Sequence, residues 1–273
     1  AAVEIAKSVG DQRRMEEALV TPALVAHYRG DLERASSMWL DLYRLAADRR
    51  DPQVQAWCGT GYAETRLLLG EDERALHWLL RAQRLLVDTL DEINNASCYG
   101  GLTLAYCRLG FSDQISHVVD QMIPLLHRAP SAFSMLEGLA NFSEACLMLS
   151  ASESGVDGAA LARPLDVLTR EALRAMRRFA HVFPIGRPRA CWLLGKYAWQ
   201  QGRRRRAQRY WRRGARAAQR LGMRYELARL RYELHVHFGE EPPGLPLSVG
   251  GWPPHPVLSA LQVSCSRCGG NIP

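Results

Sequence analysis

The sequence has no long hydrophobic run and no secretory leader pattern. None of its apolar stretches approaches the roughly 18 consecutive residues that cross a bilayer as a helix. The chain begins at Ala1 rather than Met, and its first stretch contains Glu4, Lys7 and Asp11, unlike a signal peptide with a basic start and an apolar middle. We therefore expect a cytoplasmic protein without a transmembrane segment, and we interpret the chain as a piece of a longer protein.

Recognisable catalytic motifs are also missing. The phosphate-binding pattern Gly-x4-Gly-Lys-Ser/Thr does not occur, and neither does the nucleophile elbow of hydrolases. The histidines His77, His117 and His127 are scattered without motif spacing. We expect no catalytic residue in this chain, no cofactor and no small-molecule substrate, so the sequence does not predict an enzyme.

The seven cysteines do not form the pattern of a disulfide framework. Five of them sit singly in apolar helical patterns, where a reduced cysteine behaves as a small hydrophobe. Cys265 and Cys268 have the spacing of half a zinc ribbon, which needs two further ligands. The nearby histidines, His235, His237 and His255, fit no standard spacing, so we predict no metal site.

A repeat is the main feature that the sequence does contain. Glycines follow apolar helical stretches at Gly30, Gly70 and Gly110, a step of 40 residues taken twice, and the next step falls at Ser150. A fixed period of this length is typical of solenoids. Glycine just past a helix end adopts the left-handed conformation without a steric penalty. The acidic or hydroxyl residue after it is predicted to cap the next helix.

The second helix of several predicted hairpins carries a recurring triplet. A small residue is followed by a large one four positions later, and by a third residue three positions after that. This spacing keeps the triplet on one helical face and lets two helices approach closely. The triplets are Ala35, Trp39 and Leu42; Ala75, Leu79 and Ala82; and Ala207, Trp211 and Gly214.

The apolar spacing predicts an all-α chain with a helical repeat domain at 1–238 and a Pro/Gly-rich irregular tail at 239–273. A flexible insertion is predicted at 150–162, where the period would place another tight turn. Helices are predicted near 11–28, 32–48, 52–69, 72–89, 92–109, 112–128, 131–149, 163–182, 188–201, 204–221 and 224–238.

The spacing resembles the tetratricopeptide repeat, most clearly at Trp192–Gly195, Gly202, Ala207, Trp211 and Gly214. That family's usual period is 34 residues, so a 40-residue step implies longer helices. The resemblance implies antiparallel helical hairpins stacked as a right-handed superhelix, an α-solenoid, whose concave groove binds proteins. The residues expected in the groove are Trp57, Glu64, Glu137, Glu144, Arg189, Trp192, Lys196 and Trp199. The alternative for the tryptophans is packing between neighbouring hairpins.

A narrower resemblance is carried by residues 183–189, 199–202 and 221–226, together with Ala207 and Trp211. These stretches resemble the C-terminal helical region of class III nucleotidyl cyclases of the soluble adenylyl cyclase type. In that architecture cyclase domains precede an NTPase module and tetratricopeptide-like repeats, and related regions occur in other signalling NTPases of the STAND type. The resemblance transfers no catalytic residue, because the family's metal-binding aspartates and phosphate-binding loop lie in domains that this chain does not contain.

Charge is distributed unevenly along the chain. Residues 163–233 contain twenty lysines and arginines against four acidic residues, a net charge of +16, whereas the whole chain carries +7. Arginines after Gly202 recur at steps of three and four, so they form one stripe on a helix. Such a basic face is either a solvated outer surface or a contact for an acidic neighbouring domain, nucleic acid or an anionic membrane. The stripe lacks the interleaved aromatics of a single-strand binder, which makes nucleic acid the weaker interpretation. Its residues are Arg205, Arg209, Arg212, Arg216 and Arg220.

These observations lead to one main hypothesis and two alternatives. The main hypothesis is a non-catalytic regulatory region of a larger, adenylate cyclase-like signalling protein, which contacts its own NTPase or cyclase domains or a partner protein. The first alternative is a free-standing adaptor that binds a peptide in its groove. The second is a nucleic-acid binder that uses the arginine stripe.

Overall fold

A computed structural model of the chain describes residues 8, 10, 12–87, 91–151, 161 and 163–240. This described part is built from α-helices, contains no β-strand, and has one short 3-10 turn at Pro184–Gly186. Its helices are α1 (Gln12–Arg29), α2 (Leu32–Asp48), α3 (Pro52–Leu69), α4 (Asp72–Leu86), α5 (Glu92–Leu109), α6 (Ser112–Leu126), α7 (Met135–Ala151), α8 (Leu165–Val182), α9 (Arg187–Gln200), α10 (Arg204–Leu221) and α11 (Arg224–Phe238).

Each predicted helix is present, but several boundaries differ. The helix predicted at 131–149 begins at Met135, because the amides of Met135 and Leu136 bond to the carbonyls of Ala132 and Phe133 in a turn. The same helix continues through residues 150 and 151, the start of the predicted insertion. The helix predicted at 72–89 ends at Leu86. The rest of the insertion, apart from residue 161, lies outside the described residues, as does the tail beyond residue 240.

The periodic glycines end helices as predicted. Gly30, Gly70 and Gly110 have φ angles of 85°, 78° and 77°, in the left-handed region that favours glycine. The predicted capping after them is wrong for all three helices that follow, since the N-cap residue of α6 is Phe111 and its side chain makes no capping bond. Asp31 and Glu71 occupy the N-cap positions of α2 and α4, but neither side chain bonds to the first turn. Glu71 instead pairs with arginines on both sides of the loop.

The helices form an inner and an outer set. The odd-numbered helices contact one another in chain order, from α1 to α11, and each even-numbered helix packs beside them. The contact between α5 and α7 is very close, because glycines meet there. A Cβ atom at Gly100 would overlap the backbone of Gly138, and one at Gly138 would overlap the backbone of Ala96. Close approach of these two inner helices therefore depends on glycine.

The triplets predicted from the sequence hold the outer helices against the inner ones. Trp39 and Trp211 are 3% and 0% exposed, and Leu79 is fully buried. The Trp39 indole lies where a Cβ of Gly61 would be, and the Trp211 indole fills the corresponding space at Gly195. Small residues on the inner helices thus receive large residues of the outer ones, which gives the dense packing typical of protein interiors.

The last helix of the described part returns to the first. Arg224 at the start of α11 lies 4.0 Å from Asp31, and the backbone of Tyr225 packs against Gly30. The Tyr225 hydroxyl donates a hydrogen bond of 3.1 Å to the carbonyl of Leu68, at the end of α3. Side chains from all six inner helices consequently meet in the interior, and we call this region the axis.

Candidate interaction surfaces

Six of the eight residues expected in a concave groove meet at the axis instead of facing an open surface. Their side chains are engaged with one another or with residues of facing helices, and they are buried or nearly so. They are Glu64, Glu137, Glu144, Arg189, Trp192 and Lys196. Whether they contact a partner stays a prediction, but in this arrangement each already has an intramolecular partner, although the Oε1 atom of Glu64 has none among the described residues.

Arg189 is the centre of what we call the axial cluster, which contains His27, Glu64, Glu137, Arg189 and Glu226. Its guanidinium donates to Glu226 through Nε at 2.7 Å and Nη2 at 2.6 Å, while Nη1 lies 3.4 Å from Glu137 Oε2. Burial disfavours the charged guanidinium, but Glu137 and Glu226 outweigh it and raise the pKa of Arg189. This one arginine therefore joins α7, α9 and α11.

His27 extends the axial cluster to the first helix. The Thr65 hydroxyl donates its only proton to the carbonyl of Gly61 at 2.9 Å, so it accepts from His27 Nδ1, which lies at 3.0 Å. The other ring nitrogen, Nε2, lies 3.3 Å from Glu137 Oε1. The contact ties α1 to α7.

The two buried acids of the axial cluster titrate in opposite directions. Burial, and then the charge of Glu137, raise the pKa of Glu64 well above its ordinary value. Burial also disfavours the charged form of Glu137, but Arg189 and His27 outweigh it and lower the pKa of that carboxyl. Glu64 is thus the acid that holds its proton more strongly, whereas Glu137 ionises more readily.

A second buried group, the Arg108 cluster, consists of Asp72, Arg108, Glu144 and Arg229. Arg108 lies 2.9 Å from both Asp72 and Glu144, and Arg229 lies 2.7 Å from the second oxygen of Glu144. The guanidinium of Arg229 also sits 3.3 Å from the centre of the Trp192 ring. Two cations and two anions balance here: Glu144 joins α7 to α5 and α11, and Arg108 adds α4 through Asp72.

A third group surrounds Glu233 on α11. Trp192 Nε1 donates to Glu233 Oε1 at 3.0 Å, Lys196 Nζ lies 3.2 Å from the same oxygen, and His237 Nε2 lies 3.3 Å from Oε2. Burial opposes ionisation of Glu233, but Lys196 and His237 outweigh it and lower its pKa to about 2. The predicted groove residues Trp192 and Lys196 therefore bind this carboxylate.

The other two predicted groove residues, Trp57 and Trp199, pack between hairpins. Trp57 Nε1 donates a hydrogen bond of 2.8 Å to Asp91, the N-cap residue of α5. Trp199 stacks on His237 with ring centres 4.1 Å apart, and it lies beside Trp211. This is the packing role that the sequence left open for tryptophans.

Sequence reasoning missed the partners of the axial residues, although a signal for some of them exists. Three consecutive inner helices carry charged pairs seven residues apart, which places both members on one helical face. The pair on α7 is acidic, the pair on α9 is basic and the pair on α11 is acidic again. The pairs are Glu137 and Glu144, Arg189 and Lys196, and Glu226 and Glu233. No comparable spacing marks His27, Arg108 or Arg229.

The predicted basic face is exposed on the outer side of α10. Arg209, Arg212 and Arg216 line an open cleft of about 1220 Å³ between α10 and α11, with further arginines beside them. Arg212 Nη2 lies 2.8 Å from Glu240, the single acidic residue in the described lining. Arg205 and Arg220 are also exposed on this helix but do not line the cleft. We call this opening the α10–α11 cleft.

Four arginines of the α10–α11 cleft have no ion pair or side-chain hydrogen bond with a described residue. They are Arg209, Arg213, Arg216 and Arg231. This contrasts with the axis, where each buried arginine has carboxylate partners. The cleft therefore presents an uncompensated positive potential to solvent, which attracts acidic groups.

The cysteines of the described part lie singly in the packed interior and none forms a disulfide. Burial raises the pKa of the Cys98 and Cys146 thiols, and that of Cys107 to about 12, which keeps them protonated and unreactive. Within the described residues no three His, Cys, Asp or Glu side chains are grouped so as to hold a metal ion. The predicted half-ribbon at Cys265 and Cys268 lies outside these residues.

No protein-family model matches this chain, and no curated protein matches it either. Among the helices that the structure describes, none is both long and apolar enough to cross a membrane.

Proposed function

We propose that the chain is a non-catalytic, tetratricopeptide-like right-handed solenoid of a larger cytoplasmic signalling protein, and that it binds an acidic protein surface through the α10–α11 cleft. The resemblance of residues 183–189, 199–202 and 221–226 to the helical region of class III nucleotidyl cyclases supports an NTPase-coupled parent. The acidic partner is then either a domain of the same protein or a second protein. No catalytic step belongs to this chain.

The observation that carries the proposal is the contrast between the two charged regions. Arginines at the axis are buried and paired, whereas Arg209, Arg213, Arg216 and Arg231 are unpaired among the described residues and line an open cleft. Guanidinium groups bind carboxylates through paired hydrogen bonds, and such pairs steer association as well as orient it. A cleft of about 1220 Å³ has room for several side chains of a partner.

A regulatory effect follows from the position of α11. Arg231 and Leu234 of this helix line the cleft, while Glu226 belongs to the axial cluster and Arg229 to the Arg108 cluster. A partner that shifts α11 therefore acts directly on the ion pairs that hold α7, α9 and α11 together. Binding of this kind changes the population of the arrangement in which α11 contacts α1. The parent protein would respond to the resulting change in the shape of the repeat domain.

The main competing function is binding of nucleic acid through the same cleft. The observation in its favour is the density of arginines, since neutralised phosphates would supply the same charge pairing. An adaptor with a peptide in its concave groove is less favoured, because the residues expected there have intramolecular partners.

Site-specific photo-crosslinking tests the proposal in cells that express the larger protein containing this chain. We expect a photoreactive amino acid at position 213 to yield a discrete protein crosslink, either within the same protein or to a second protein, that nuclease treatment leaves intact. The control carries the same amino acid at position 44, an exposed residue of α2 with a side chain 71% accessible. An adduct that nuclease removes, or adduct patterns identical at positions 213 and 44, would contradict the proposal.

A further inference from the structure

A second basic opening lies between the outer helices α8 and α10, above α9. It has a volume of about 150 Å³ and is open to solvent. Leu173 and Ala198 are buried at its floor, and Tyr197 is half-buried in its wall. The side chains that give it its charge and shape are Arg170, Arg174, Arg177, Arg203, Arg206 and Tyr210. We call it the α8–α10 pocket.

The helices themselves explain why five arginines converge. Arg170, Arg174 and Arg177 are four and three residues apart on α8, so they share one face. Arg203 is the N-cap residue of α10, and Arg206 lies in its first turn. The start of α10 therefore faces the arginine side of α8 across the pocket.

Most of this charge is not compensated. Arg170 pairs with Asp166 at 2.9 Å, and Arg206 donates to the Tyr210 hydroxyl at 3.3 Å. Arg174, Arg177 and Arg203 have no ion pair or side-chain hydrogen bond with any described residue. No aspartate or glutamate belongs to the described lining of the pocket. Like charges gathered around one pocket repel one another unless an anion lies between them.

The start of α10 also differs from the starts of the other outer helices. Each of α2, α4, α6 and α8 has an acidic residue in its first turn, where it interacts favourably with the positive end of the helix. The first turn of α10 has none and is basic. The partial positive charge of the helix end thus adds to that of the arginines, and together they favour a bound anion.

The chemistry of the pocket matches a phosphate group. Guanidinium forks bind phosphate oxygens through paired hydrogen bonds, and a phosphate monoester carries close to two negative charges at neutral pH. A nucleobase fits less well, because the Arg206 guanidinium already lies 5.7 Å from the Tyr210 ring centre and covers that face. Arg206 and Tyr210 also line the α10–α11 cleft, so the two openings are continuous.

We propose that the α8–α10 pocket binds the phosphate of a phosphorylated side chain in a protein partner, while the acidic sequence beside it follows the α10–α11 cleft. The inference rests on the proposed function, because it assumes a protein partner. It adds a condition to that function: phosphorylation of the partner strengthens binding, so the contact responds to a kinase or phosphatase.

Binding of two synthetic peptides tests this inference on the intact chain. The probe is a fluorescent peptide with one phosphoserine flanked by glutamates, and the reference is the same peptide with serine. We expect the phosphorylated peptide to bind at least about tenfold more tightly in fluorescence anisotropy, in line with two lost charge-assisted bonds in the reference. In the Arg174→Ala/Arg203→Ala variant that difference disappears.

The matched control is the Arg34→Ala/Arg84→Ala variant, which removes two exposed arginines from the outer helices α2 and α4. We expect this variant to keep the preference for the phosphorylated peptide. Equal affinity for both peptides overturns the phosphate site but leaves the proposed acidic partner intact. If neither peptide binds, the phosphate site is likewise overturned, and photo-crosslinking at position 213 decides the proposed function separately. Tighter binding of a single-stranded RNA of equal charge, lost in the Arg174→Ala/Arg203→Ala variant, overturns the assignment to a protein phosphate.

Discussion

Glu64 is the least compensated acid of the axial cluster. It lies on α3, its side chain is buried, and its Oε1 atom has no hydrogen-bond partner among the described residues. Because burial and Glu137 raise its pKa, the folded protein holds a proton there that the unfolded chain releases near the ordinary value of 4.5. The free energy of unfolding therefore falls as the pH rises from 4.5 to the raised pKa of Glu64.

The Glu64→Gln variant should remove this loss. Glutamine keeps the shape of the protonated acid but does not titrate, so the variant gains stability relative to the parent chain as pH rises from 5 to 8. Each pH unit below the raised pKa contributes about 1.4 kcal/mol. Urea unfolding at both pH values measures the difference. The control is Glu92→Gln, at an exposed carboxylate paired with Arg128, where a small change is expected. An equal response of the two variants would contradict this account of Glu64.

At the scale of helices, the local parts of the fold were predictable because they depend on neighbouring residues. Glycine periodicity located the ends of α1, α3 and α5, and apolar spacing located each helix to within a few residues. The triplets identified Trp39 and Trp211 as packing residues. The missing N-cap bonds at Asp31 and Glu71 were not predictable, because nearby arginines compete for the Glu71 carboxylate and no sequence rule ranks these partners.

The Gly195 and Trp211 contact offers a test at this scale. In Gly195→Ala the new methyl group meets the Trp211 indole, so we expect a loss of about 1–3 kcal/mol. Gly59→Ala is the control, since a Cβ there would lie 3.6 Å from its nearest neighbour, an ordinary contact, and helix propensity favours alanine. That variant should be neutral or more stable.

A double-mutant cycle then assigns the cost to the contact itself. Trp211→Phe alone loses volume and the hydrogen bond from Nε1 to the carbonyl of Trp192, so it is destabilising. In the double variant with Gly195→Ala, the smaller ring leaves room for the methyl group. The combined loss of stability is therefore smaller than the sum of the two single losses by about 1 kcal/mol. Thermal or urea unfolding of the four proteins provides the measurement. Strict additivity would show that the two residues do not compete for space.

At the scale of the whole molecule, the closure of α11 onto α1 changes what the groove residues do. The sequence predicted an accessible groove lined by Glu137, Arg189 and others, and six of those residues do come together. They meet with partners that no local pattern links to them: His27 reaches across 110 positions in the sequence to Glu137. Closure depends on the small rotation between successive hairpins, which accumulates along the stack and has no sequence pattern of its own.

Crosslinking of the first loop to the last helix tests this closure most directly. In the Asp31→Cys/Arg224→Cys variant, a short bismaleimide should join the two introduced thiols within one chain, because the native side chains at these positions lie 4.0 Å apart. Mass spectrometry identifies the linked peptides, and the two single variants show which products need both thiols. We expect a high yield of the 31–224 link in the monomer. If both thiols react singly with the reagent but no link forms, the helices do not close, and the predicted groove residues face an open surface instead of a buried axis.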